Sequence, residues 1–174
     1  MIRHHHSSPR EGVVTGVVGA SAVAALFLGR DLMLGMPLLT PSVLGQVILQ
    51  GAAVPVTDRA LPGPALAYTG LHLAVFLVFG LLLAGFARVA TTQPSLRFAV
   101  VMLFIFFEFF FTGLSFRFFE VTQALFPLSL VLVANLAAGA AMAAYLWRHH
   151  PALRRAVHRD PLGLGAPGAT NRFP

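Results

Sequence analysis

The chain contains no cysteine and no lysine, and it is poor in acids, with six Asp and Glu among 174 residues. Without cysteine there is no disulfide framework, thiolate nucleophile, iron–sulfur cluster or Cys-based zinc site. Only 10% of the residues are charged, against about a quarter in an ordinary soluble domain. Nor is there a Glu-x-x-His pair, a Ser/His/Asp arrangement, a metal-protease signature or a nucleotide-binding loop, so no catalytic residue is nominated and the expectation is a protein without enzymatic activity.

What is abundant is apolar surface: 57% of the chain is hydrophobic and the mean hydropathy is +0.79. Four segments, 12–29, 65–87, 98–116 and 124–147, have the apolarity and the roughly 20-residue length that crosses a hydrocarbon core about 30 Å thick. The expected fold is an all-α membrane protein, a bundle of four transmembrane helices. A polar N-terminus covers 1–11, the helical domain runs over 12–151, and a basic Gly- and Pro-rich tail over 152–174 reads as flexible unless a partner holds it. The first apolar segment lacks an A-x-A-like site near its end and is expected to stay as a helix rather than to be removed as a signal peptide.

All twelve basic residues are arginines at or beyond the ends of the apolar segments. That placement indicates membrane topology rather than a nucleic-acid partner. With four spans, Arg3, Arg10, Arg88, Arg97, Arg148, Arg154, Arg155, Arg159 and Arg172 share one face, and Arg30, Arg59 and Arg117 the other. The positive-inside rule then puts both termini in the cytoplasm, in a bacterial inner membrane. Between the first two spans, "TPSVLGQVILQG" has Thr40 as a candidate N-cap, Pro41 at the first helical position and Gly51 as a stop. These signals predict one short helix, interfacial or re-entrant.

Inside the spans, polar residues are few. Glu108 stands near the centre of "FIFFEFFFTG", where an ionised group costs about 2.5–3.5 kcal/mol and must be paired, wetted or protonated. At 1.5 Å per residue it lies about 12 Å from the outer end of its helix, His72 about 10 Å and Asn135 about 16 Å from theirs. The expected cluster is Glu108 facing His72 and Asn135, with Thr112 and Tyr68 on the same helix faces. It reads either as structural interhelical hydrogen bonds or as a proton relay or ligand pocket. No metal site is expected, and no cofactor: a haem at His72 would need a second imidazole at its depth, and His72 is the single histidine within a span.

Gly12, Gly16, Ala20 and Ala24 recur every four residues in the first span, and Gly139 offers a matching smooth surface in the last. Such small residues let helices approach backbone to backbone. Arg30 with Asp31, Arg117 with Glu120, and Trp147 with Arg148 mark the membrane interfaces.

The strings "RDLMLGMPLLTPSVLG", "YTGLHLAVF" and "VANLAAGAAMAAYLWRHHP" resemble a group of small four-span bacterial membrane proteins without assigned activity, over about residues 12–151. That resemblance implies the fold class, and that Asp31, His72, Glu108 and Asn135 are matched positions. The function expected from all this is an accessory, scaffold or assembly subunit of a larger membrane complex, in contact with lipid and with other membrane subunits or copies of itself. The alternative is a small oligomeric transporter or proton-conducting protein using Glu108 and His72.

Single cysteines test the orientation. In spheroplasts treated with a membrane-impermeant thiol reagent, Thr57→Cys should label and Ser8→Cys should not; the opposite pattern inverts the topology.

Overall fold

The computed structural model describes residues 9–93, 96–117 and 126–149. Five helices are present among them: α1 (Pro9–Met33), α2 (Leu39–Gln50), α3 (Pro62–Thr92), α4 (Leu96–Arg117) and α5 (Leu128–His149). Helix is the outcome hydrocarbon demands, since it satisfies every backbone group within the segment. Prolines set the starts. Pro62 opens α3 in its first turn, where the missing N–H costs nothing. Pro127 delays α5 to Leu128, its carbonyl accepting from Leu130 N at 2.9 Å, because a residue before proline disfavours helical backbone. The last span therefore begins four residues later than the apolar run suggests.

Three of the helices, α1, α3 and α5, are long and apolar enough to cross a membrane, so the chain is an all-α, multi-span membrane protein with a short helix between its first two spans. This corrects the expectation of four. In α4 the apolar stretch with described side chains is Val101–Gly113, shorter than the roughly 20 residues a crossing takes.

Contacts define the directions. Gly12 faces Leu81 and Gly16 faces Phe76 and Leu77, so α1 and α3 are antiparallel. Gly19 meets Met142, and Phe27 meets the ring of Phe126 edge-on at 6.1 Å, so α5 also runs against α1. Phe76 pairs with Phe111 and Phe79 with Phe107, which sets α4 antiparallel to α3. Phe76, Leu83, Phe107, Ala134, Ala138, Met142 and Leu146 form the main core. Under α2 a smaller core gathers Leu39, Val43, Val47 and Phe126.

The small-residue seam is present, but its partner is α3 rather than α5. A Cβ on Gly16 would lie 2.5 Å from the carbonyl oxygen of Phe76, and one on Gly12 would lie 2.8 Å from Leu81 Cα. Gly80 answers from the other side, where a Cβ would collide with the backbones of Gly12 and Gly16. Ala20 is buried, whereas Ala24 is exposed. A strict four-residue step turns about 40° per step at 3.6 residues per turn; by Ala24 the stripe has rotated about 120° from Gly12, and Gly19 and Val23 take over its inward face. Gly139 packs at ordinary distance, 3.5 Å from Phe104.

Gly16→Leu should therefore force two backbones apart and destabilise the fold by ~3 kcal/mol or more, while Val17→Leu, at a position 42% exposed, should be near neutral. Melting temperatures of the two variants in detergent check this; equal values would remove the seam.

Candidate functional site

At the end of α1 an acidic side chain turns inward. Asp31 is fully buried, and its carboxylate accepts from the Thr40 backbone N–H at 2.7 Å and from Thr40 Oγ1 at 2.6 Å. Every donor in the first turn of α2 is thereby used. Leu39 N donates to Met36 O, Thr40 N to Asp31, Pro41 has none, and Ser42 N donates to Leu38 O. The cap thus comes from nine residues upstream instead of from Thr40, and Leu38 is held at φ +65° to reach it, a backbone conformation that costs about 1–3 kcal/mol unless its surroundings impose it. Arg30 stands 3.6 Å from the same carboxylate and over the Phe126 ring at 5.4 Å. The Arg30–Asp31 pair is thus no simple interfacial anchor: Asp31 is a buried structural link.

Side chains of α2 hold the connection to α3. Gln46 Oε1 accepts from Val56 N at 2.9 Å and its Nε2 lies 3.3 Å from Val56 O, while Ser42 Oγ accepts from Leu61 N at 2.8 Å. Gly45 presses on the Pro64 backbone, where any Cβ would collide. Gly51 ends the helix at φ +67°, as its sequence position predicts. With 12 residues, about 18 Å, α2 cannot cross a bilayer; its Gln46 faces the loop.

Two spaces carry the polar residues of the spans. The first, of about 160 Å³ between α1, α2 and α3, is bordered by Asp31, Thr40, Tyr68, Thr69 and His72 among apolar side chains. His72 Nε2 lies 3.2 Å from the carbonyl of Ala20, and its ring lies between Tyr68, stacked at 6.0 Å, and Phe76, tilted at 4.8 Å. The second, a groove of about 510 Å³ along α4 and α5, holds Glu108 and Asn135 with Phe104, Gly139 and Ala143. There Glu108 Oε1 and Asn135 Nδ2 are buried and have no hydrogen-bond partner among the described residues, nor does Thr112 Oγ1 one turn on from Glu108.

Glu108 and Asn135 are thus together, as depth counting on antiparallel helices implies. His72 and Tyr68 are elsewhere: His72 turns to α1, and the rings of Phe76, Phe107 and Phe111, in mutual contact, stand between the two spaces. Depth along a helix is legible in the sequence; rotation about its axis is not. Trp147 and Arg148 are exposed at the C-terminal end of α5. The Arg117 side chain, Glu120 and the tail lie outside the described residues. Among the described residues no three His, Cys, Asp or Glu gather to hold a metal. The sequence reading missed Gly80, Ser42 and the capping role of Asp31; only an Asp at a helix end shortly before Thr-Pro hinted at the last. Comparison with family models, curated proteins and solved structures gives no match.

Since the two spaces are separate, Glu108→Leu and His72→Phe should act additively on stability in detergent, within about 0.5 kcal/mol. A larger coupling energy between them would show that the carboxylate and the imidazole touch.

Proposed function

We propose that this chain is a non-catalytic subunit of a larger membrane assembly, and that a transmembrane helix of a partner protein docks in the α4–α5 groove. One observation carries the reading: a carboxylate oxygen and an amide nitrogen, Glu108 Oε1 and Asn135 Nδ2, are buried without partners among the described residues in an outward groove of a membrane bundle. In hydrocarbon each unsatisfied polar group costs several kcal/mol. A helix that brings one donor and one acceptor to this level removes both costs, and the small residues Gly139, Ala140 and Ala143 let it come close. Ile105 and Phe109, 43% and 74% exposed on the groove, add apolar area for such a contact. The transporter alternative lacks support in the same geometry, because the phenylalanines between Glu108 and His72 leave no polar route from one to the other. The setting proposed with this role is a bacterial cytoplasmic membrane; Arg10, Arg88 and Arg148 belong to one end of the bundle, Arg30 and Arg59 to the other, and because the 22-residue α4, antiparallel to α3, carries the chain back to that second end, the reading has both termini inside.

The test pairs assembly with stability. The full chain, tagged and extracted from its native membrane in mild detergent, should co-purify with stoichiometric companions on a native gel. Glu108→Leu with Asn135→Leu should lose them by tenfold or more while melting no lower than the wild type, since removing unsatisfied buried groups relieves about 1–3 kcal/mol each. A wild type that runs alone, or a double variant that keeps its companions, overturns the reading.

A further inference from the structure

The space between α1, α2 and α3 is separate from the proposed docking groove, and its polar groups can be accounted for one by one. The Asp31 carboxylate is engaged by Thr40, and Thr69 Oγ1 donates to Ala65 O at 2.8 Å. His72 Nε2 faces the Ala20 carbonyl, which can only accept, so Nε2 carries the ring proton and Nδ1 of the neutral imidazole is a bare acceptor. Tyr68, one turn away on the same face, contributes a phenol hydroxyl with no hydrogen bond to a described residue. The wall thus presents one unused acceptor and one unused hydroxyl, side by side on stacked rings, in a setting where polar groups need partners. Three of its lining residues, Ala24, Leu28 and Thr69, are exposed on the outside of α1 and α3, so the space opens sideways toward lipid.

Size and charge narrow the occupant. About 160 Å³ is the room of roughly five waters, enough for one substituted six-membered ring. Among the described residues no arginine lines the space to hold a phosphate headgroup, and the Asp31 carboxylate at its edge is already engaged by Thr40 and Arg30. We propose that this space binds the ring of a lipid-soluble hydroquinone, whose hydroxyl donates to His72 Nδ1 and whose oxygen accepts from Tyr68 Oη. The apolar tail leaves between α1 and α3 into the bilayer. The ring lies against the Tyr68 and His72 platform, and the assignment is one of binding, with no electron transfer implied.

Decyl-1,4-hydroquinone, kept reduced under argon, is the probe, and its dimethyl ether is the control of equal shape without donors. Added to the purified full chain in detergent, the hydroquinone should raise the melting temperature saturably, and the ether should bind at least tenfold more weakly, about the worth of one hydrogen bond. Tyr68→Phe should weaken the hydroquinone about tenfold. Because His72→Phe also removes the Ala20 contact, Ala24→Leu serves as the second variant: at an exposed lining position it should fill the space and abolish the shift while the unliganded protein melts as before. Equal shifts by hydroquinone and ether, an undiminished shift in Ala24→Leu, or no saturable shift in the wild type would each overturn the proposal.

Discussion

Where α1 crosses α3, the two backbones touch at Gly12, Gly16 and Gly80, and most of the architecture follows from that contact. Helices this close cannot rotate freely, so the rest of their facing residues are set in phase. Ala20 then presents its carbonyl to His72, one turn beyond Phe76. Gly19, just off the contact line, is left to receive Met142 of α5 and Phe76 of α3. Lipid offers no hydrophobic drive between helices, since acyl chains are as apolar as leucine; close packing and interhelical hydrogen bonds supply the association instead. Three glycines that lack a side chain therefore set how closely α1 and α3 approach.

A second constraint works at the C-terminal end of α1. A carboxylate removed from water must find donors, and Asp31 finds two on Thr40. The helix that begins there needs acceptors for its own first N–H groups. Each requirement meets the other, which docks α2 on the end of α1. Gln46 and Ser42 then fasten the following loop by the same logic. The polar side chains of α2 that hold the connection are engaged, whereas Glu108 Oε1 and Asn135 Nδ2 on the α4–α5 flank have no partner among the described residues. The Asp31–Thr40 link and the Gln46 and Ser42 contacts belong to the folding of the chain, whereas the Glu108–Asn135 groove is open to something else.

Several features were legible residue by residue. Gly51 ends α2 at a left-handed φ, as glycine after a last turn does. Counted at 1.5 Å per residue, Glu108 and Asn135 differ by about 4 Å in depth, near enough for one groove to hold both. Pairing Glu108 with His72 failed on a different coordinate. Both lie at similar depth, but His72 points to α1 and Glu108 to the α4–α5 groove. The capping of α2 by Asp31 was hidden by its sequence distance, and Gly80 by the presence of Gly70 and Gly85 in the same span, neither of which meets anything within 4 Å.

By itself the sequence determined what is a one-dimensional property: that the chain is helical with several apolar spans, that a short helix stands between the first two, and that Gly51 ends it. Only the tertiary structure decided which polar residues meet and which remain unpaired. The physical reason is that α3 and α4 are apolar nearly all round, so no amphipathic stripe marks their inner face, and each residue turns the helix by a further 100°. The inner face was chosen by which backbones could approach, at Gly12, Gly16 and Gly80, and that choice sent His72 and Glu108 to opposite sides of a phenylalanine wall.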